Sequence, residues 1–227
     1  MLENMSKAAF FNPKPATRQT LGDSVADSIR DAIFGGLVKP GQQLAEGRMA
    51  DTFKVSRAPV RDAFASLERE GLVSRAANGG TTVTQVTRSD VEEICTLRLA
   101  LELLAVKHAV RLGTEENWSR LADNTRRTEN VTDPQELAQL DLDFHQTIVE
   151  AAGHSRLLSS WLNLRSQIRL IMVQRNLTDS GSRRGTVQGH KELLKALRGG
   201  EEAEVAALMD LHLQRQYDWV VSSFQEE

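Results

Sequence analysis

The sequence predicts a mainly α-helical protein built from two unlike parts, and three observations carry this prediction. Apolar residues recur at helical spacing along most of the chain after Thr20. Runs rich in valine and threonine, on both sides of an Asn-Gly pair at 78–79, form a hairpin signal. Residues 1–87 carry eleven Lys and Arg against nine Asp and Glu, whereas residues 88–227 carry an excess of acids. We therefore expect a slightly basic first part and an acidic, all-α second part.

The first elements follow from spacing and from helix-breaking residues. Residues 1–19 have no sustained periodicity and contain two prolines, so they are predicted to be a flexible arm. From Thr20 a helix is predicted, with apolar residues at steps of four from Leu21 to Leu37. A Lys-Pro-Gly turn ends it, and a short helix is predicted over about 45–52.

A further helix is predicted to begin near Ser56, whose hydroxyl is a good N-cap acceptor, and to close at Gly71. Two β-type runs follow at 72–75 and 81–86, joined by the Asn-Gly turn. Helix, short helix, helix and hairpin is the order of a winged helix-turn-helix. Residues 20–87 are therefore predicted to form a DNA-binding domain.

The remainder of the chain, residues 88–227, shows no comparable strand signal. Glycines and an Asp-Pro pair divide it into six amphipathic helices. The predicted helices span about 89–112, 115–128, 134–152, 155–176, 183–197 and 201–224. Because each has an apolar face, a six-helix bundle is the expected packing.

The composition excludes several classes of protein. The 227 residues are 40% hydrophobic and 26% charged with a net charge of −3, as in ordinary globular proteins. The sequence holds no run of about 18 apolar residues, which argues against a membrane span, and no secretory apolar core at its start. The single cysteine, Cys95, excludes a disulfide framework and a multi-cysteine metal cluster. We therefore expect a cytoplasmic protein with no membrane partner.

The first functional signal lies at the start of the predicted recognition helix, which holds Ser56, Arg57, Pro59 and Arg61. The two arginines stand one turn apart, where a guanidinium can bind a guanine edge or a phosphate in the major groove. Proline is tolerated there because first-turn N–H groups have no intrahelical acceptor. Surface arginines are also common without DNA, but the adjoining short helix and hairpin favour DNA. Arg48 is a weaker candidate for a phosphate contact.

The second signal consists of polar residues inside apolar stripes of the predicted bundle. Asp141 and His145 share a helix face four residues apart, and His190 and His212 each lie in the apolar stripe of a later helix. Burying a carboxylate without a partner costs roughly several kcal/mol. A divalent metal ion would satisfy all four groups, and Zn, Ni, Mn or Fe suits such ligands. Each histidine alone is more often a hydrogen-bonded core residue, so the prediction depends on the four together.

Three motifs in the first part occur in one characteristic order: PGQQLAE at 40–46, VSRAPVRDA at 55–63 and LEREGLV at 67–73. They resemble the GntR family of bacterial transcription regulators over about residues 21–86. The resemblance implies a homodimer that binds a short palindromic operator in double-stranded DNA. It also implies DNA contacts from Arg57, Arg61 and the tip of the wing, at Gly79, Gly80 and Thr81.

In the second part, DLDFH at 141–145, GHKELL at 189–194 and His212 resemble the FCD ligand-binding domain of one GntR branch. In that domain the matching Asp and three His bind a divalent metal, and small carboxylates often coordinate it. The resemblance therefore implies the metal ligands Asp141, His145, His190 and His212. Six helices rather than seven favour the VanR-like over the FadR-like subgroup.

The same resemblance implies an effector-binding arginine at Arg98, which stands at the edge of a stripe containing Leu97 and Leu101. A helix-surface pair with Glu102, four residues on, is the alternative for this arginine. Arg169 is a weaker candidate for the same pocket.

These observations together predict a metabolite-responsive repressor, cytoplasmic and associated with the nucleoid when it is bound to its operator. A small carboxylate effector would enter the bundle, meet the metal and Arg98, and change the spacing of the two DNA-binding heads. One alternative is a metal-sensing regulator. Another is a metal-dependent hydrolase, since a metal with open positions can activate water, although no general base, nucleophile motif or phosphate loop accompanies the ligands.

Overall fold

The computed structural model describes residues 20–76, 80–178 and 182–223, and it confirms the mainly helical fold class. The first part comprises α1 (Leu21–Phe34), β1 (Gln43–Leu44), α2 (Glu46–Phe53), α3 (Arg57–Arg69), β2 (Val73–Arg75) and β3 (Thr81–Val83). The second part comprises α4 (Arg88–Leu112), α5 (Glu115–Asn130), α6 (Pro134–Ala151), α7 (Ser155–Thr178), α8 (Ser182–Gly199) and α9 (Glu202–Ser223). The predicted arm, residues 1–19, lies outside the described residues.

Helix α1 begins and ends for identifiable reasons. The Thr20 hydroxyl accepts from the Asp23 N–H, and the Asp23 carboxylate accepts from the Thr20 N–H, which is a capping box. The prediction that Leu21 and Leu37 lie in the apolar stripe is wrong, because both are exposed. Steps of four residues drift by about 40° per turn around a helix, and the helix already ends at Phe34.

The wing is a three-stranded antiparallel sheet in the order β1-β3-β2, with Leu44 opposite Thr81 and Val73 opposite Val83. The Ala76 N–H donates to the Gly80 carbonyl and closes the hairpin. Residues 77–79, which include the predicted Asn-Gly turn, are outside the described part of the chain. Strand β1 was not predicted, since two residues leave no periodic pattern to detect.

Helix α3 starts at Arg57, with Ser56 in extended conformation at the N-cap position. The Ser56 side chain makes no capping hydrogen bond, so the predicted capping role of its hydroxyl is wrong. The hydroxyl is exposed at the start of the helix instead.

All six predicted helices of the second part are confirmed, with ends within two residues of the predicted ones. They pack around a core that includes the fully buried Phe144 and Trp161. No helix in the described ranges is both long and apolar enough to cross a membrane.

Helix α4 is rotated relative to the sequence prediction. Arg98 and Glu102 lie on its buried face, together with alanine and valine residues. Leu97, which the stripe predicted to be inside, is 49% exposed, and Leu104 on the same helix is 41% exposed. Arg98 and Glu102 face inwards because buried polar groups of other helices hydrogen-bond to them. Leucine side chains could not make those hydrogen bonds.

Helix α7 connects the bundle to the DNA-binding part. The Ser166 hydroxyl donates to Glu70 at 3.0 Å, and Glu70 also accepts two hydrogen bonds from Arg30 of α1. Arg169 lies over the ring of Phe34 in α1, 4.0 Å from its centroid. The structure thus places the Arg169 side chain at a contact with the other domain, and its pocket role stays a prediction.

Candidate metal centre and DNA-binding surface

Four buried side chains meet at the centre of the bundle. Helix α6 supplies Asp141 and His145, α8 supplies His190, and α9 supplies His212. One ligand atom from each lies within 4.8 Å of all the others, and no residue of the four is more than 7% exposed. The structure thus brings together the four residues that the sequence predicted from three separate helices.

The distances between these atoms suit a shared ion. His145 Nε2 lies 3.2 Å from His212 Nε2, and Asp141 Oδ1 lies 3.4 Å from His190 Nε2 and 4.0 Å from His145 Nε2. Two atoms that each bind an ion at about 2.1 Å can be at most about 4.2 Å apart. These three separations are within the limit for a shared ion, and the bound of 4.8 Å on the full set lies slightly above it.

His190 supplies the clearest indication of a missing partner. Its ring stacks on Phe144 with centroids 3.7 Å apart; its Nδ1 is buried without a partner among the described residues, and its Nε2 has only the 3.4 Å contact with Asp141 Oδ1. Burial lowers its pKa to about 4, so the imidazole is neutral and keeps a lone pair for a cation. An orphaned neutral imidazole beside a carboxylate is the donor set of a metal site.

Glu102 of α4 holds His145 and was not predicted as part of the site. Its carboxylate pairs with His145 Nδ1, which must carry the proton, so that Nε2 faces the other ligands. The same carboxylate accepts from Trp161 Nε1 at 3.0 Å and from Arg98 Nε at 2.7 Å. Burial alone would raise the pKa of Glu102, but Arg98 and His145 hold it at about 2. The carboxylate is therefore ionised.

Arg98 forms the pair with Glu102 that the spacing of the two residues predicted as its alternative, while its effector-binding role stays a prediction. It pairs with Glu102, but both side chains are buried, and its Nη2 also lies 3.5 Å from Asp141 Oδ2. Its Nη1 donates to Gln216 Oε1 at 3.1 Å. Gln216, which was also not predicted, lies one helical turn after His212, so the spacing rule that paired Asp141 with His145 could have found it.

Gly189 shows why a glycine precedes His190. A Cβ at this position would lie 2.2 Å from Nδ1 of His212, closer than any real side-chain contact. Only glycine lets α8 approach α9 closely enough for both histidines to reach the centre. A cavity of about 90 Å³ between the two helices reaches inward to His212 and Gln216.

The predicted DNA-reading surface surrounds the start of α3. Arg57 and Arg48 are exposed there, and Arg61 is exposed while its Nε donates to Glu46 of α2 at 2.9 Å. Arg75 of β2, which the sequence prediction omitted, donates to the Arg61 carbonyl at 3.1 Å. The hydrogen bond from Arg61, reinforced by the charges of Arg57 and Arg75, lowers the pKa of Glu46.

The wing residues divide into three cases. Thr81 is buried in the sheet, so its side chain is not presented at the surface. Gly80 is half-buried at the end of the hairpin, and Gly79 lies outside the described residues. Pro59 is half-buried in the first turn of α3.

Comparisons with known proteins match both parts of the chain. The FCD domain matches residues 93–215, and the bacterial regulatory proteins of the gntR family match residues 21–83. The chain belongs to the GntR family. It is thus a transcription regulator that combines a GntR DNA-binding domain with an FCD domain.

Curated relatives of this GntR regulator include bacterial repressors. The gluconate operon transcriptional repressor of Bacillus licheniformis is 30% identical over 165 residues, which cover 71% of this chain and 68% of the relative. The uncharacterized regulator YdhC of Bacillus subtilis is 34% identical over 140 residues, 60% of this chain and 62% of its own length. The chain therefore spans less than two thirds of YdhC.

Solved structures share the fold of this GntR regulator. McbR/YncC of Escherichia coli superposes with a TM-score of 0.75 at 20% identity, covering 91% of this chain and 99% of that one. A GntR regulator from Rhodococcus sp. RHA1 gives a TM-score of 0.76 at 22% identity, covering 90% and 99%.

Proposed function

We propose that this regulator is a metabolite-responsive repressor whose FCD domain holds a divalent metal ion and binds a small carboxylate. The observation that carries the proposal is the set of four buried ligand atoms within 4.8 Å of one another, beside the buried Arg98. The buried Nδ1 of His190, which has no partner among the described residues, supports it, because a buried polar group without a partner is costly.

Each residue around the centre has a proposed role in binding the ion or the carboxylate. Asp141, His145, His190 and His212 would hold the ion, with Zn, Ni, Mn and Fe all compatible. Glu102 fixes the tautomer and orientation of His145, and Arg98 supplies a positive charge next to the ligands. When bound, the ion supplies a Lewis-acid position for a carboxylate oxygen. The six helices of the FCD domain support a VanR-like subgroup.

For DNA, we propose that the exposed start of α3 enters the major groove of a palindromic operator. Arg57 and Arg61 would read bases or phosphates, with Ser56 and Pro59 beside them and Arg48 on a phosphate. The additional arginine, Arg75, extends this basic surface towards the wing. Gly79 and Gly80 remain predicted contacts, whereas Thr81 is left out because its side chain is buried.

A homodimer is supported by the outer face of α4. Leu97, Leu104 and Leu112 are all exposed along this helix, and exposed apolar residues in one row typically mark an interface. A two-fold dimer through this row would place two DNA-binding heads for a palindromic site.

We propose that α7 transmits the effector signal. Trp161 donates to Glu102 at the metal centre, and Ser166 on the same helix donates to Glu70 in the DNA-binding domain. A carboxylate that changes the contacts of Arg98 and Glu102 would shift α7 and, through Glu70, the position of the DNA-binding head. Release of DNA requires that the carboxylate bind the DNA-incompetent arrangement more tightly.

The metal content of the purified full chain tests the proposal. We expect the wild type to retain about one divalent ion per chain, and His190→Ala to bind Zn²⁺ at least about tenfold more weakly in a chelator competition. His108→Ala is the matched control, because His108 is half-buried at the far end of α4, next to His154. If wild type and His108→Ala neither retain an ion nor bind added Zn²⁺, the proposed metal site is wrong.

Measurements of operator binding distinguish a carboxylate-responsive repressor from a metal-sensing regulator. Gel-shift titrations with DNA selected from a random library would be repeated with Zn²⁺ and with a panel of small carboxylates. A change in DNA affinity on adding a carboxylate to the ion-loaded protein is the expected result. A change caused by the ion alone, with no carboxylate effect, would identify a metal sensor instead.

A further inference from the structure

This inference concerns the buried amide of Gln216 and rests on the proposed function, since it describes how the metal centre takes a carboxylate. Gln216 lies between the ligand atoms and Arg98. Its Nε2 is 3.1 Å from Asp141 Oδ1 and 3.1 Å from His212 Nε2, and its Oε1 is 3.1 Å from Arg98 Nη1. The residue is only 5% exposed, so these contacts occur without competing water at the surface.

Only one orientation of this amide satisfies its neighbours. Asp141 and His212 offer lone pairs to it, whereas Arg98 offers only N–H groups. The reversed amide would place oxygen against a carboxylate oxygen and NH₂ against a guanidinium, in both cases at about hydrogen-bond distance. The amide therefore fits the ion-free centre, with N–H groups towards the ligands and oxygen towards Arg98.

The fit is lost when the ligand atoms bind a cation. His212 Nε2 then gives its single lone pair to the cation, so the N–H group of Gln216 that pointed at it loses its acceptor and faces a positive charge. A carboxylate suits the same position, because one oxygen would face the cation and the other would accept from Arg98. Without a cation, that carboxylate would instead face the Asp141 carboxylate and be repelled.

We propose that the Gln216 amide occupies the place of the ligand's carboxylate, and that a small carboxylate displaces it only when the cation is bound. The cavity of about 90 Å³ between α8 and α9 is lined by Gln216, His212 and Arg215, and it provides the approach. The size of this cavity restricts the ligand class to compact carboxylates, for which acetate is the simplest probe. Gln216 thereby makes anion binding conditional on the ion.

Gln216→Glu tests the proposal by building a carboxylate into this position. Without Zn²⁺ the variant should melt at a lower temperature than the wild type, because the new carboxylate faces Asp141. With Zn²⁺ it should gain more thermal stability than the wild type and bind Zn²⁺ about tenfold more tightly in a chelator competition. Acetate should raise the melting temperature of the Zn²⁺-loaded wild type but not that of Gln216→Glu. Gln214→Glu, an exposed position on the same helix, adds the same charge; it faces Asp218, so it should melt slightly lower than the wild type but bind Zn²⁺ and respond to acetate as the wild type does.

A second variant covers the case in which ion-free Gln216→Glu does not fold. Gln216→Leu removes the amide that acetate has to displace, so the Zn²⁺-loaded variant should bind acetate several-fold more tightly than the wild type. Weaker or unchanged acetate binding by Gln216→Leu would overturn the proposal. So would a Gln216→Glu protein that binds Zn²⁺ no better than Gln214→Glu, or that still responds to acetate.

These outcomes differ from failure of the metal site itself. If the wild type and Gln214→Glu bind no Zn²⁺, the proposed ion is wrong and this inference falls with it. If both bind Zn²⁺ normally and only the Gln216 variants depart from expectation, the role of the amide alone is refuted.

Discussion

Arg98 and Glu102 form a buried ion pair next to the four predicted metal ligands, and each also contacts one of those ligands. A buried ion pair is tolerated when every remaining hydrogen-bonding position is used, and Glu102 uses its oxygens on Arg98, His145 and Trp161. The charge of Glu102 therefore affects both the stability of the bundle and the orientation of His145, one of the predicted metal ligands.

Glu102→Gln removes the negative charge of this side chain while keeping its size, so it tests the charge alone. We expect a loss of up to about 3–5 kcal/mol in the free energy of unfolding, because the buried Arg98 loses its nearer carboxylate and keeps only Asp141, at 3.5 Å. Zn²⁺ affinity should also fall by about tenfold to a hundredfold, because His145 loses the carboxylate that orients it. Urea denaturation and chelator competition measure the two effects.

The matched control is Glu92→Gln on the same helix. Glu92 forms the same kind of i,i+4 pair with Arg88, but that pair is exposed. A change within about 0.5 kcal/mol is expected there. Equal effects of the two substitutions would contradict the role assigned to Glu102.

Gly189→Ala should disrupt the centre through a single added carbon. The new Cβ would lie 2.2 Å from His212 Nδ1, so the imidazole has to move away from the other ligands. We expect at least about tenfold weaker Zn²⁺ binding, comparable to the loss of a supporting group of the site. Isothermal titration calorimetry of the full chain measures it.

Gly185→Ala, one turn earlier on α8, is the control for helix propensity. A Cβ there meets no described atom within 4 Å. Replacing glycine by alanine in a helix typically stabilises by about 0.5–1 kcal/mol, so Zn²⁺ binding should be unchanged and stability equal or higher. Retention of Zn²⁺ affinity in Gly189→Ala would refute the steric explanation.

The site residues that the sequence predicted and one that it missed, Glu102, differ in their sequence neighbours. Asp141, His145, His190 and His212 stood out because polar groups interrupted apolar stripes. Glu102 was hidden because its partner Arg98 is four residues away, a spacing that equally describes a surface pair.

At the scale of elements, periodicity predicted the existence of the helices better than their rotation. The six bundle helices were predicted to within two residues, since glycines and an Asp-Pro pair mark their ends. The inward face of α4 was predicted wrongly, because Leu97 and Leu104 carry the apolar pattern while Arg98 and Glu102 occupy the core. The contact of Arg169 with Phe34 joins two domains, and no local pattern contains such information.

Ser166→Ala tests α7 as the connection between the domains. The substitution removes the hydrogen bond to Glu70, which keeps its two bonds from Arg30, so about 1 kcal/mol of stability should be lost. Any carboxylate-dependent change in operator affinity should become smaller than in the wild type. Thermal denaturation and gel-shift titrations measure these quantities.

Ser160→Ala is the control on the same helix, since Ser160 is exposed. It should leave stability within about 0.5 kcal/mol and leave the carboxylate response unchanged. An undiminished response in Ser166→Ala would show that the signal does not pass through this contact.

At the scale of the whole molecule, the row of exposed leucines on α4 predicts how two chains associate. Leu104→Glu should shift the protein from dimer to monomer and weaken binding to a palindromic operator, because a charge would be buried at the interface. Light scattering after size-exclusion chromatography gives the mass of the species in solution.

Leu162→Glu is the control for this substitution, because Leu162 has a similar exposure, 43%, but lies on α7 outside the row. It should remain dimeric. A Leu104→Glu protein that is still a dimer would place the interface elsewhere on the surface.

The indole of Trp161 is fully buried and donates its only N–H group to the carboxylate that orients His145. Indole emission depends on the electric field at the ring, and that field changes when the neighbouring carboxylate, imidazole and guanidinium redistribute their charge. The protein therefore carries its own optical reporter at its centre. The part of the ultraviolet emission that is lost in Trp161→Phe, which leaves Trp118 and Trp219, can follow loading of the site in real time and in unlabelled protein.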